Sequence, residues 1–204
     1  MDEFDKTKKV MALLTRISTG SYYFIVSDNE QTVDRLISDY SKQVSQELED
    51  FNVVVFDYAK DIQREGRYNY DYGYARQAME YYMADKGLES KNLLGTVVAV
   101  YRHLENFVLE GDTAEEKMQR LAQYLGFQNM FREANQVYRG AYYVFPTWLY
   151  GLIMQNCPDF QSQRSHTFFL DSHFSKDSTP IDCFPDWFDS ERFDEILWPS
   201  YHKK

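Results

Sequence analysis

Apolar residues follow two different spacings along the first 60 residues of the chain. Residues 21–26, SYYFIV, form a run of aromatic and β-branched residues, which predicts a strand. The apolar residues that follow recur every three or four positions and predict one face of a long amphipathic helix; they are Val33, Leu36, Ile37, Tyr40, Val44 and Leu48. A helical pattern over residues 2–19 and a strand at residues 52–56 complete an alternation of helix and strand.

The middle of the chain continues this alternation. Residues 74–83 predict a helix, and Gly87 is a suitable stop signal for it. Residues 93–101, LLGTVVAVY, are the longest β-branched run and predict a central strand. Thr113 is followed three residues later by a glutamate, a spacing typical of a capping box at the start of a helix. The regular pattern fails over residues 60–73, and residues 67–76, RYNYDYGYAR, alternate tyrosine with polar residues, which fits a strand and a loop equally well.

The stretch from residue 140 to residue 171 predicts a strand, a short helix and a strand. Residues 141–145 and 167–170 are the apolar strands, and residues 148–154 are apolar enough for a buried helix that Pro158 ends. Two apolar strands joined through a helix are typical of a parallel βαβ unit. Five strands alternating with helices therefore predict an α/β fold: a three-layer, open, mostly parallel five-stranded sheet.

Residues 172–204 differ in composition, so we divide the chain into an α/β domain over residues 1–171 and an irregular C-terminal extension. The extension holds three of the five prolines and two of the three tryptophans, with a short helix predicted near residues 188–197. Its aromatic residues either pack back on the domain or dock on a partner, because exposed aromatics commonly mark interfaces. The candidates for contact with a partner are Trp187, Phe188 and Trp198, together with Tyr70 and Tyr72 of the tyrosine-rich stretch.

The charge of the chain disfavours several classes of partner. A net charge of −10 opposes nonspecific binding to nucleic acid or to an anionic membrane, and it suits a basic protein partner. Cys157 and Cys183 have neither a disulfide framework nor metal-ligand spacing, so free thiols in a reducing compartment are expected. No apolar run approaches the roughly 20 residues of a membrane span, and the N-terminus lacks the apolar core of a secretory signal. We therefore expect a cytoplasmic protein without a cofactor.

Three motifs between residues 97 and 171 resemble those of a known family. An apolar strand leads to Leu104-Glu105, a second strand ends at Pro146, and the sequence CPDF precedes Arg164 and a serine before the last strand. This pattern resembles degenerate P-loop ATPase-like domains of the STAND/AAA+ type, which occur in bacterial multidomain proteins with tetratricopeptide arrays and conflict-system modules. The resemblance implies a P-loop-like fold and a place in defence or signalling.

The phosphate-binding motif of P-loop ATPases is missing. The motif G-x-x-x-x-G-K-[ST] cradles phosphate with backbone N–H groups, and its lysine reaches the terminal phosphates. The chain reads SDNEQTVDRL at this position, with neither glycine nor lysine. Asp28 and Glu30 would lie where phosphate binds, and their charge opposes an anion. We interpret them as caps of their own helix and expect no ordinary ATP hydrolysis.

The end of the third strand, YRHLE, corresponds to the position of the metal-binding acid in a working ATPase. Glu105 could be a remnant of that acid, but Arg102 and His103 are poor neighbours for a metal ion. The ordinary interpretation is a solvated strand end. An unusual nucleotide site would use Arg102, Glu105 and Arg164, the two arginines contacting phosphate.

Arg164 has a second interpretation, an ion pair with Asp159 or Asp171. Asp171, His173 and Asp177 are spaced too generically to predict a metal site. Cys157 follows an apolar helix, so we expect it to be buried and inert. No catalytic residue is predicted.

Three functions remain open on this basis. The first is a catalytically inactive P-loop-like domain that acts as a protein-interaction or regulatory module. The second is a nucleotide sensor or NTPase with a non-standard phosphate site. The third is an acidic immunity-type protein that masks a basic toxin.

Overall fold

The computed structural model describes residues 21–47, 52–61, 74–87, 97–130, 140–162, 164–171 and 183–198. The predicted helix at residues 2–19, the first part of the third predicted strand, Tyr70, Tyr72, His173 and Asp177 lie outside these ranges. In chain order the elements are β1 (Ser21–Val26), α1 (Glu30–Glu47), β2 (Asn52–Asp57), α2 (Tyr58–Asp61), α3 (Tyr74–Lys86), β3 (Val97–Arg102), α4 (Asn106–Leu109), α5 (Ala114–Met130), β4 (Gly140–Phe145), α6 (Thr147–Asn156), α7 (Pro158–Ser162), β5 (Arg164–Phe169) and α8 (Ser190–Leu197).

The five described strands form one sheet in the order β2-β3-β4-β1-β5, and every neighbouring pair is parallel. This confirms the predicted α/β fold, and the order is consistent with a three-layer, P-loop-like arrangement. β1 lies between β4 and β5, so that Val26 pairs with Phe145 on one side and Phe169 on the other. All the carboxyl ends of the strands meet at one edge of the sheet.

Alternate residues of each strand face different helical layers, as the two-residue period of a strand requires. Tyr23 and Ile25 of β1 belong to the core beneath α1, whereas Tyr22, Phe24 and Val26 belong to the core shared with α5, α6 and α8. The helices that follow β1 and β4 therefore lie on opposite faces. In open α/β sheets such a divergence leaves a crevice at the carboxyl ends of the two strands.

Three predicted helix signals are confirmed, at Thr113, Gly87 and Pro158. Glu116 N–H donates to Thr113 Oγ1 (3.2 Å), and Thr113 N–H donates to Glu116 Oε2 (3.3 Å), which is the capping box. Gly87 follows α3 with φ of 63°, a conformation that a side chain disfavours. Helix α6 ends before Pro158, but this proline also begins α7, where its missing N–H costs no hydrogen bond.

The predicted start of β5 is wrong by three residues. The strand begins at Arg164 rather than at residue 167, and its first residues are polar with partly exposed side chains. β5 is an edge strand, so its limits are set by backbone pairing with β1 and not by an apolar run.

Residues 183–198 pack against the α/β domain through α8. Phe193 is only 2% exposed, and α8 contacts α5. At the rim of this contact, Arg192 donates Nε to Glu115 Oε2 (3.0 Å) and Nη2 to Glu115 Oε1 (2.8 Å). The buried Phe193 ring and the bidentate ion pair between Arg192 and Glu115 therefore hold the described part of the extension on the domain.

Two of the aromatic interaction candidates contact rings of the same chain. Trp187 lies edge-on to Trp148 with ring centroids 5.6 Å apart, and Phe188 lies 5.3 Å from Phe193. Trp198 differs, because it is 52% exposed. Among the described residues, no helix combines the length and the apolar character needed to cross a membrane.

Candidate functional site

The turn between β1 and α1 consists of Ser27, Asp28 and Asn29. Ser27 N–H donates to the Phe145 carbonyl (3.1 Å), and Asn29 N–H donates to Ser27 Oγ (3.1 Å). Asp28 N–H donates to Asp171 Oδ2 (2.7 Å). A P-loop directs such N–H groups at phosphate. Here the turn is too short, and its donors are all engaged, so it forms no phosphate nest.

Asp28 caps a helix other than its own. Its Oδ1 accepts from Thr147 N–H (2.8 Å) and its Oδ2 from the Thr147 hydroxyl (2.6 Å), at the start of α6. Helix α1 is capped instead by Asn29, whose Oδ1 accepts from Thr32 N–H (3.1 Å). The prediction that Asp28 and Glu30 cap their own helix is therefore wrong for Asp28. The reason is tertiary: parallel pairing of β1 with β4 brings the two turns together.

His103 joins carboxylates from two elements at the end of β3. Its φ of 57° lies in the left-handed region, which residues other than glycine adopt rarely. Nδ1 lies 2.7 Å from Asp57 Oδ1, while Nε2 lies 3.1 Å from Glu30 Oε1 and 3.3 Å from Arg102 Nη2. Burial opposes ionisation of Asp57, but the hydrogen bond and charge of His103, with help from Lys60, keep the pKa of Asp57 below its usual value.

Arg102 is 8% exposed, so the expectation of a solvated strand end is wrong. Helix α1 lies over the end of β3, and its Asp34 accepts a hydrogen bond from Arg102 Nη1. Asp57 Oδ2 lies 3.9 Å from Arg102 Nε. Two carboxylates of its own chain thus lie near the positive charge of Arg102, but its Nε is buried and has no hydrogen-bond acceptor among the described residues.

Glu105 lies in the turn after β3 and differs from these paired groups. Its Oε2 is buried and accepts no hydrogen bond from the described residues. Burial raises the pKa of the Glu105 carboxyl, and a hydrogen bond from its own backbone, together with the neighbouring charges of His103 and Arg102, offsets this only in part. A buried carboxylate oxygen without a donor is energetically costly, which makes it a candidate for contact with a ligand.

A cleft of about 180 Å³ opens between the carboxyl ends of β1, β3 and β4. Its polar wall includes Arg102, His103 and three carboxylates, those of Asp28, Glu30 and Glu105. Its apolar wall is formed by Val33, Val144, Pro146 and Trp148. The cleft therefore combines negative charge with an aromatic surface, at the edge of the sheet where α/β folds place their ligands.

Arg164 is far from this cleft. It is the first residue of β5 and pairs with Tyr22 at the start of β1, whereas Arg102 is the last residue of β3. Its guanidinium contacts the Tyr150 hydroxyl (3.3 Å) and Met154 Sδ (3.2 Å), and it lies over the Phe24 ring. The structure brings Arg102 and Glu105 together, but it places Arg164 at the opposite edge of the sheet. The two arginines cannot hold one phosphate group.

Other candidate chemistry is not supported by the described residues. Cys157 is fully buried, and burial raises the pKa of its thiol to about 12, as expected for an inert cysteine. Within the part of the chain that the structure describes, no three His, Cys, Asp or Glu side chains are grouped closely enough to hold a metal ion.

Sequence reasoning did not assign a role to Asp57 or Trp148, and it set His103 aside. Asp57 and Arg102 end neighbouring strands, and that position was an available signal, because parallel strands bring their carboxyl ends together. No comparable signal marked Trp148, which lies within an apolar helix. Comparison with protein-family models, with curated proteins and with solved structures gives no match for this chain.

Proposed function

We propose that the chain is a catalytically inactive, P-loop-like domain that acts as a protein-interaction or regulatory module. The observation that carries this proposal is the three-residue turn after β1, whose N–H groups all donate to the chain itself. The resemblance of residues 97–171 to STAND/AAA+-type domains supports a role in bacterial defence or signalling.

The charge and size of the cleft support the same proposal. Asp28 and Glu30 would face the phosphates of a nucleotide, with no lysine in the turn to offset them. Pockets for drug-sized ligands usually measure about 300–1,000 Å³. The cleft measures about 180 Å³ and is open to solvent, so it favours a small group such as one side chain of a partner over an enclosed nucleoside triphosphate.

Thermal unfolding of the full chain with and without millimolar ATP or GTP and Mg²⁺ tests the proposal. We expect no change in Tm. A nucleotide present at 100 times its Kd would contribute about 2.7 kcal/mol, a shift of several degrees that the assay detects easily. Such a shift would overturn the proposal in favour of a nucleotide sensor.

A matched pair of variants tests whether negative charge at the phosphate position is what prevents nucleotide binding. Asp28→Ala removes one negative charge from the phosphate position, whereas Asp186→Ala removes one from an exposed site in residues 183–198. If the wild type shows no shift and neither variant gains one, the lack of binding follows from the missing nest and not from charge alone.

A further inference from the structure

We propose that the cleft binds the guanidinium group of an arginine side chain presented by a partner protein. This inference rests on the proposed function, because it names the chemistry that the interaction module recognises. It also requires that the cleft attract a cation, offer an acceptor to it and exclude larger ligands. Each requirement is met by residues described above.

Carboxylates outnumber basic side chains in the lining of the cleft. Arg102 lies within ion-pair distance of Asp34 and Asp57, which reduces its contribution to the charge of the cleft, although Asp57 also pairs with His103 and Lys60. Among the described residues, no cationic side chain lies within ion-pair distance of Asp28 or Glu105. A cation that enters the cleft therefore meets two carboxylates that form no ion pair with the described residues, although both oxygens of Asp28 accept hydrogen bonds from Thr147.

Glu105 supplies the acceptor. Glu105 lines the cleft, and its Oε2 is buried with no hydrogen-bond donor among the described residues. A guanidinium group carries five N–H donors in a plane and can offer two of them to one carboxylate. A small shift of the Glu105 side chain toward the cleft would let a bound guanidinium donate to this oxygen, which has no donor among the described residues.

The apolar wall favours a guanidinium group over an ammonium group. Trp148 provides an aromatic surface on which a planar, weakly hydrated guanidinium can stack. Val33, Val144 and Pro146 provide contacts for the methylene stem of the side chain. A lysine ammonium is more strongly hydrated and would gain less from these surfaces.

The test is a titration of the ¹⁵N-labelled full chain with the peptide acetyl-Gly-Arg-Gly-amide, followed by NMR at the Trp148 indole N–H. That signal is assigned with a Trp148→Phe variant. We expect a saturable shift with the arginine peptide and none with the citrulline peptide, its neutral isostere. Equal shifts with the two peptides would overturn the proposal, and so would equal or tighter binding of the lysine peptide.

Agmatine, a free guanidinium compound, distinguishes the two sources of the group. Tighter binding of the arginine peptide than of agmatine supports recognition of a protein side chain. Tighter binding of agmatine overturns the partner-protein part of the proposal.

Two variants with the same change of charge complete the experiment. Glu105→Gln keeps the size of the side chain, and we expect it to weaken binding of the arginine peptide at least tenfold. Glu191→Gln removes one charge from an exposed position on α8 and should leave the affinity unchanged. Equal weakening by both variants would show attraction by overall charge alone and would overturn the assignment to the cleft.

ATP is titrated into the same sample. Absence of both an ATP shift and an arginine shift would overturn only the inference about the cleft. An ATP shift would overturn the proposed function itself.

Discussion

Arg102 and Arg192 each pair with two carboxylates, but their surroundings differ. Arg102 lies beneath α1 with its side chain 10% exposed, where it contacts Asp34 and Asp57. Arg192 lies on the surface of α8 with its side chain 49% exposed, and it contacts Glu115 and Glu195. The surface arginine has the better hydrogen-bond geometry, because it donates twice to Glu115.

The comparison shows that better hydrogen-bond geometry does not imply greater importance for stability. An exposed ion pair gains little, because water screens the charges and two long side chains must be ordered. A buried carboxylate has already lost its hydration, so removal of one of its cations leaves a charge that is only partly compensated. The cluster at the end of β3 is therefore more sensitive to mutation than the pair on α8, although neither need add much net stability. Three predictions test this contrast, in order of decreasing effect.

The largest effect is expected for Arg102→Met. Methionine keeps the apolar stem but leaves buried Asp57 without one of its cations, and we expect the free energy of unfolding to fall by about 3 kcal/mol. Urea unfolding measures this loss. Arg192→Met makes the same substitution at the exposed pair and should produce no measurable change. Equal losses in the two variants would contradict the contrast drawn between the clusters.

A smaller loss is expected for Asp28→Ala. The substitution removes both hydrogen bonds to Thr147 and leaves the start of α6 uncapped, so we expect a loss of about 2 kcal/mol in urea unfolding. Asn29→Ala removes the cap of α1, which makes one such bond, and should cost about 1 kcal/mol. If the Asn29 variant lost more, the cross-helix cap would not be the stronger of the two.

The smallest effect is expected for Glu105→Gln, and it should be a gain. Burial raises the pKa of Glu105, so the folded state holds this proton more tightly than the unfolded chain does. The resulting stability is fully present below the unfolded pKa, about 4.3, and is lost as pH rises through the raised folded pKa. Glutamine does not ionise, so the variant should be more stable by about 1 kcal/mol at pH 7.

Urea unfolding between pH 4 and pH 7 measures that gain. The difference between the variant and the wild type should shrink toward pH 4, where the carboxyl is protonated in both states. A difference that stays constant over this range would show that ionisation of Glu105 is not its cause.

The regular secondary structure and the cleft differ in how far the sequence predicted them. The strands and long helices in the described residues were predicted close to their observed limits, since apolar spacing reflects burial on one face directly. β5 was the exception, because an edge strand is defined by its neighbour. The parallel α/β class followed from the alternation of these elements, and the order β2-β3-β4-β1-β5 was then found in the structure.

The cleft was only partly predictable. Arg102 and Glu105 were identified as neighbours of a strand end, and they do line one cleft. Arg164 was grouped with them from a resemblance in sequence order, although it begins its strand and Arg102 ends another. Position along a strand decides which edge of the sheet a residue reaches, and a motif alone does not contain that information.

The sequence by itself determined that the turn after β1 lacks the glycines and the lysine of a phosphate site, because these are properties of residue type. It also determined the acidic charge and the alternation of strand and helix. Only the tertiary structure decided that Asp28 caps α6, that His103 connects Asp57 with Glu30, and that Glu105 has a buried oxygen to which no described residue donates. These contacts join residues that are distant in sequence, and parallel pairing of the strands brings them to one edge of the sheet.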